Sequence, residues 1–352
     1  MNRKLKIIAA YFAVLLVGMG AIIGLSGRSP SAKKLSIVAT NFPAYDFARA
    51  VARDKADIKM LIKPGAEVHD FEPTPQDIID IRRSQLFIYT GGESDAWVER
   101  ILRDVNAGKT NDRPRLFRMM EAVGLLKEDE ETYAVEATHE HSMHSADDAH
   151  DEYDEHDDVH DGHDERGSEH NEHDEYDEYD EHVWTSLRNA TQIINSLQNT
   201  LADIAPDDRL FFVKNAQNYT DKLTQLDSKF QAIVDKAPRR TLVFGDRFPL
   251  RYFAEDYHLK YWAAFPGCSE QTEASGKTVA SLIEQINAES IPVVLKIEMT
   301  SDNLAQTIAE ATGAKVLTFQ TAHNVSADDF RNGRTYADIM AENLQVLKEA
   351  LN

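Results

Sequence analysis

Cysteine is almost absent from this sequence. Its single copy, Cys268, has no partner for an internal disulfide, and no cysteine follows the N-terminal apolar run to carry a lipid. Nothing resembling a phosphate loop occurs either, so nucleotide hydrolysis is excluded as an activity of the chain itself. Basic residues are few: 38 Lys and Arg stand against 60 Asp and Glu, a formal charge of −22. That balance leaves no footprint for nucleic acid. Hydrophobic sequence long enough to matter to a membrane is found at 7–25, after Arg3, Lys4 and Lys6 and before Ser26-Gly27-Arg28-Ser29-Pro30. A basic start followed by about 20 apolar residues reads as an export signal or a membrane anchor over 1–33, with everything after it outside the membrane. Only mediocre cleavage sites follow, at Gly24-Leu25-Ser26 and Ser29-Pro30-Ser31, and the length of the run favours retention modestly.

The acidity that is present is concentrated in one place. Between Glu136 and His182 lie 10 histidines and 21 Asp or Glu, with Arg166 as the one basic residue. The rest of the chain is therefore close to neutral. An acidic linker has no reason to be this rich in histidine, so the segment reads as a metal-collecting insertion at about 136–181, disordered without metal because it is polar and self-repelling. His139-Glu140-His141, His160-Asp161-Gly162-His163 and His170-Asn171-Glu172-His173 mix imidazole nitrogen with carboxylate oxygen and would chelate divalent ions loosely. His144, His150 and His156 add further weak auxiliary sites.

Outside the insertion, short apolar runs alternate with helical patterns. Strands are expected at 35–40, 57–62 and 86–90, with helices at 45–53, 75–83 and 95–106. A second set places strands at 241–245, 259–264, 292–297 and 315–319, with helices at 275–288 and 302–312. This is an α/β fold of two parallel-sheet lobes, 34–184 and 239–352. Helices at 184–204 and 208–237 fill a linker over 185–238. The second carries Phe211, Phe212, Asn215, Tyr219, Leu223, Leu226, Phe230 and Ile233 at near-helical spacing, a core stripe on a rigid strut that would cross both lobes and limit opening to a small rocking motion.

Candidate ligands fall in loops beyond the carboxyl ends of strands, where such sheets bind them. His69 follows the run ending at Ile62, Asp246 follows Gly245, His323 follows the run ending at Phe319, and His182 closes the insertion. Three imidazoles and one carboxylate, two groups from each lobe, would form a closed tetrahedral site between the lobes that suits Zn²⁺ better than Mn²⁺. Glu67 and Cys268 are reserve candidates for the fourth position. His258, late in the helix that runs from Leu250, reads as structural.

Pro64-Gly65 with His69 and Glu72-Pro73, then Glu181-His182-Val183-Trp184 after a His-rich insert, then Ala205-Pro206-Asp207 opening a long helix, resemble the metal-binding solute receptors of ABC importers, the zinc and manganese type. The likeness continues through Tyr252-Phe253-Ala254, Thr312-Gly313-Ala314-Lys315 and Thr335-Tyr336 with Asn343. It implies that His69, His182 and His323 are ligands. At the third position the family places His or Glu before an Ala-Phe pair, whereas this chain has Gly245-Asp246-Arg247-Phe248, which makes Asp246 the substitute. It further implies a monomeric receptor at the cell surface or in the periplasm, possessing no enzymatic activity, that hands its ion to a permease and its ATPase. A zinc metallohydrolase and a metal-buffering or adhesion protein are the competing readings; a hydrolase would keep a coordination position open for water.

Overall fold

The structure, a computed structural model, describes residues 34–68, 71–98, 100–101, 113–127, 179–267 and 274–352. The apolar run at 7–25, the nine histidines at 139–173, His69 and Cys268 lie outside the described residues.

The N-terminal lobe contains β1 (Leu35–Ala39), α1 (Phe42–Ala52), β2 (Ala56–Met60), α2 (Pro75–Arg83), β3 (Leu86–Tyr89) and β4 (Arg115–Arg118). Its sheet runs β2-β1-β3-β4, with β1 and β4 each parallel to β3. All four side chains of β3 are buried, as expected for a strand covered on both faces. The strand β4 was not expected: it reads Arg-Leu-Phe-Arg and buries only Phe117, so no apolar run announces it. Local chemistry sets the helix starts. Asn41 Oδ1 accepts from the Ala44 N–H at 3.2 Å to cap α1, and Thr74 with Asp77 forms a reciprocal capping box on α2, which has Pro75 in its first turn.

Two helices link the lobes, α3 (Leu187–Ile204) and α4 (Arg209–Lys236). The first starts three residues later than the sequence pattern suggests, because Val183–Thr185 form a tight turn and Ser186 caps the helix by accepting from the Asn189 N–H at 2.9 Å. The C-terminal lobe follows, with β5 (Thr241–Phe248), α5 (Arg251–Tyr257), β6 (Lys260–Pro266), α6 (Gly276–Glu289), β7 (Val293–Lys296), α7 (Asn303–Thr312), β8 (Lys315–Thr318), α8 (Ala327–Arg331) and α9 (Tyr336–Leu351). Its sheet order, β6-β5-β7-β8, repeats that of the first lobe and is parallel throughout. In each sheet the first strand sits between the second and third, the arrangement that opens a crevice beyond the strand ends. The strand β5 runs three residues past the expected 241–245, with a register shift between Phe244 and Arg247, so Asp246 lies within the strand and not in a loop after it.

The strut is α4. Its 28 residues span about 42 Å, and most of the expected stripe is buried: Phe212, Asn215, Tyr219, Leu223, Leu226 and Phe230, joined by Val234, whereas Phe211 and Ile233 are only partly buried. It packs on α1, α3, α5 and α9. A buried carboxylate locks this crossing. Asp46 of α1 accepts from the Tyr219 hydroxyl of the strut at 2.5 Å and from the Tyr336 N–H at the start of α9 at 2.9 Å, while Arg49 pairs with its other oxygen. Burial pushes the Asp46 carboxyl above its usual range, with Arg49 and the two donors acting the other way.

Asp46→Ala should therefore cost about 3 kcal/mol of unfolding free energy, because it strands three donors in the interior, and Tyr219→Phe about 1 kcal/mol. Denaturant midpoints measure both, and breaking the exposed Arg331–Asp328 pair should leave the midpoint unchanged. Asp95, buried beyond β3, supplies a pH test. Burial pushes its carboxyl up to about 6, although the N–H groups of Gly91 and Thr90 donate to it at 3.2 and 2.7 Å. The folded chain holds this proton where the unfolded chain has lost it, so the contribution is full below the ordinary carboxylate range and declines as pH rises through 6. Asp95→Asn should flatten that decline in metal-free protein, read as unfolding free energy at each pH.

Candidate metal centre

A cavity of about 210 Å³ lies between the lobes, lined by Gly65 to Val68 and His182 on one side and by Arg247, Gly267, Glu298, Thr300, His323 and Asn324 on the other. Of the four ligands expected from the sequence, His182 and His323 meet there. Their rings stand edge to face with centroids 5.2 Å apart. Glu181 joins them: one ligand atom from each of Glu181, His182 and His323 lies within 4.8 Å of the other two.

The segment 180–184 builds one half of this cluster. His182 is fully buried, and its Nδ1 lies 3.0 Å from Asp180 Oδ1, which also accepts the His182 backbone N–H at 2.7 Å. A carboxylate acceptor at Nδ1 keeps the proton there and places the lone pair on Nε2, the nitrogen suited to a metal. Trp184 is fully buried beside both imidazoles, 5.5 Å from the His182 ring and 4.8 Å from that of His323. Glu181 is buried as well. Its carboxylate accepts from the Ser94 N–H at 2.9 Å and from the Ser94 hydroxyl, and burial pushes its pKa up to about 7 while His182 and Ser94 act to lower it. Gly92 at φ 101° lets the chain pass this group, since a Cβ there would come within 2.7 Å of Glu181 Cβ.

The other half hangs from Trp184 and Glu298. The Trp184 indole N–H donates to the Thr321 carbonyl at 3.0 Å. Glu298, half-buried beyond β7, accepts from the Thr321 N–H and hydroxyl at 2.7 Å each and from the His323 N–H at 3.2 Å. These bonds hold the loop 321–323, in which Ala322 takes the left-handed φ of 58°.

Asp246 is placed differently. Its Oδ2 accepts from the Ile297 N–H at 3.1 Å and from the Thr300 hydroxyl at 2.5 Å, and its Oδ1 from the Arg247 N–H at 2.8 Å. It ties β5 to the loop after β7 and is not part of the cluster of Glu181, His182 and His323. Glu67 stands at the rim, 3.8 Å from an Arg247 guanidinium nitrogen. His258 ends α5 in a left-handed conformation, a structural position as expected. Sequence reasoning missed Glu181 as a member of the cluster and Asp180 as the partner of the imidazole, because both carry the composition of the acidic insertion. The signal that could have separated them was their contact in sequence with His182-Val183-Trp184.

Comparison with known proteins gives the family of the chain. Residues 37–350 match the family model described as ZnuA, zinc-uptake complex component A, periplasmic. The high-affinity zinc uptake system protein ZnuA of Bacillus subtilis is 27% identical over 99% of this chain and 97% of its own length. The zinc-binding lipoprotein AdcA of Streptococcus pneumoniae is 26% identical over 99% of the chain, which spans 61% of that longer relative. Among solved structures, the Zn(II)-bound ZnuA-like domain of AdcA from Streptococcus pneumoniae superposes with a TM-score of 0.67 at 25% identity, covering 91% of this chain and 99% of the domain. Since the family model matches residues 37–350 of the 352, the chain belongs to the ZnuA family of zinc-uptake receptors.

Proposed function

We propose that the protein is an extracytoplasmic receptor that captures Zn²⁺ in the cleft and delivers it to an ABC-type permease, whose ATPase supplies the energy. The observation that carries this reading is the convergence of His182 and His323 from opposite sides of one buried cavity, with Glu181 beside them. Two imidazole nitrogens suit zinc better than the harder manganese ion, for which a carboxylate-rich site is expected. Membership of a family of uptake receptors favours carriage over hydrolysis, and the zinc-binding names of the relatives point to the same cargo.

For the ligand set, Glu181 is the carboxylate that the geometry favours over Asp246, because one ligand atom of Glu181 lies within 4.8 Å of those of His182 and His323. His69 completes the set on the strength of the sequence alone. Among the described residues no helix is long and apolar enough to cross a membrane, so attachment of a monomeric receptor would rest on the run at 7–25.

Zinc bound across the cleft should stabilise the fold by mass action, about 4 kcal/mol when free metal is 1,000 times the dissociation constant. His182→Ala and His323→Ala should each abolish most of the corresponding thermal shift, and Glu181→Gln should weaken binding less. Asp246→Ala should lower the stability of metal-free protein yet retain tight zinc. Titration calorimetry with zinc and manganese checks all four. Tight zinc binding by both histidine variants would remove the cleft as the primary site.

A second expectation concerns the insertion. Asp180 and Tyr179 belong to the folded chain, since Tyr179 bridges Lys127 and the Asp180 carbonyl accepts the Tyr252 hydroxyl at 2.7 Å. Deleting only 138–178 should leave one tight zinc site and lower the total number of ions bound. Loss of the tight site from a deletion variant that still folds would mean that insertion histidines form it.

A further inference from the structure

At the rim of the cavity the two lobes meet through one small side chain. Lys63-Pro64-Gly65-Ala66 forms a turn in which the Ala66 N–H donates to the Lys63 carbonyl at 3.0 Å. Pro64 and Gly65, the latter at φ 82°, fill its two central positions in the pattern of a type II turn. The turn leaves the Lys63 carbonyl with a second lone pair and turns the Ala66 carbonyl towards the facing lobe. Asn324, next to His323, donates from its amide nitrogen to the Lys63 carbonyl at 2.9 Å and to the Ala66 carbonyl at 2.8 Å. Its Oδ1 accepts from the Val325 N–H at 2.8 Å. That third bond fixes which end of the amide faces the turn. The residue is 5% exposed, so water competes little for these bonds.

We propose that Asn324 is a positioning residue that clamps the Lys63–Ala66 turn of the N-terminal lobe against the His323 loop of the C-terminal lobe, so that the ion is held by a closed rim and leaves only when this clamp opens. The inference rests on the receptor reading and adds to it a residue that sets the release rate without touching the metal. Gly65, Ala66, Glu67 and Val68 all line the cavity, so freeing the turn uncovers the wall on that side. The other polar contact on this rim, Arg247 with Glu67, spans 3.8 Å and is half exposed on the Glu67 side, which makes it the weaker restraint. Because His323 is the next residue, moving Asn324 also moves the end of the loop that Glu298 holds.

Asn324→Ala removes both donors, and Asn324→Asp keeps the shape but faces two carbonyls with a carboxylate. Each should raise the rate of zinc release to an excess of fluorescent chelator by roughly tenfold or more, the loss of two buried hydrogen bonds. Glu67→Gln should change it less than threefold. The visible absorption of the Co²⁺-loaded protein should be unchanged in position and intensity, because the ligands are the same. On the unaltered chain, zinc should increase amide-exchange protection of 63–68 and 321–325 together, a measurement that stands even if a variant fails to fold. Release at the parental rate in folded variants, a shifted cobalt spectrum that would put Asn324 in the coordination sphere, or protection of one segment without the other would overturn the clamp. A parent protein that binds no zinc would overturn the receptor reading and the clamp with it.

Discussion

The indole of Trp184 is the contact on which the site depends. It is fully buried, it packs beside both imidazoles, and its N–H donates to the Thr321 carbonyl two residues before His323. An indole nitrogen is a donor only and needs a partner when buried. That requirement fixes the loop 321–323 relative to the segment 180–184, and so fixes one histidine relative to the other. Tyr336 reinforces the arrangement by donating its hydroxyl to the Trp184 carbonyl at 2.6 Å. The two histidine-bearing segments are far apart in sequence, yet they are held together by hydrogen bonds from buried side chains to backbone carbonyls. A site organised this way needs little rearrangement on binding.

Opening the cleft must then occur against unequal restraints. On the strut side, Asp46 is bonded to α4 and α9, and the stripe from Phe212 to Val234 is packed along the helix. Separating the lobes there would expose aromatic surface and leave a carboxylate without donors, a cost of several kcal/mol. On the cleft side the restraints are the Asn324 bonds, the Trp184 to Thr321 bond and a rim ion pair across 3.8 Å. The cleft side is the weaker, and motion about the strut is therefore the motion available.

Much of this was legible in the sequence because it is periodic or because it is chemically unusual. Parallel strands such as Leu86–Tyr89 and Val293–Lys296 are short apolar runs, and the strut shows its stripe at helical spacing. His182 and His323 stand out because so few histidines lie outside the insertion. What escaped detection depends on three-dimensional neighbours. Asp246 sits at a strand end like a ligand, but a register shift in β5 turns its carboxylate towards the Ile297 and Thr300 donors. Glu181 has the composition of the acidic run that precedes it, and only burial against Ser94 separates it from that run. Asn324 and Glu298 act on backbone groups remote in sequence, which no local pattern encodes.

The charge balance of the cavity explains why a cation, and a nitrogen-loving one, fits best. Glu181 is buried and Glu298 half-buried, and desolvation raises both carboxyls above their usual range even though each accepts hydrogen bonds. Desolvated carboxyl groups beside two imidazoles are a standing cost in the metal-free fold, one that a divalent ion offsets and a neutral ligand does not. Asp180 strengthens the preference by holding the proton on His182 Nδ1, which keeps Nε2 basic. Arg247, also on the cavity wall, is directed to Glu67 at the rim. The positive charge is thus paired with Glu67, apart from the cluster of Glu181, His182 and His323, whose mix of one carboxylate and two imidazoles has the donor chemistry that suits a dication such as zinc.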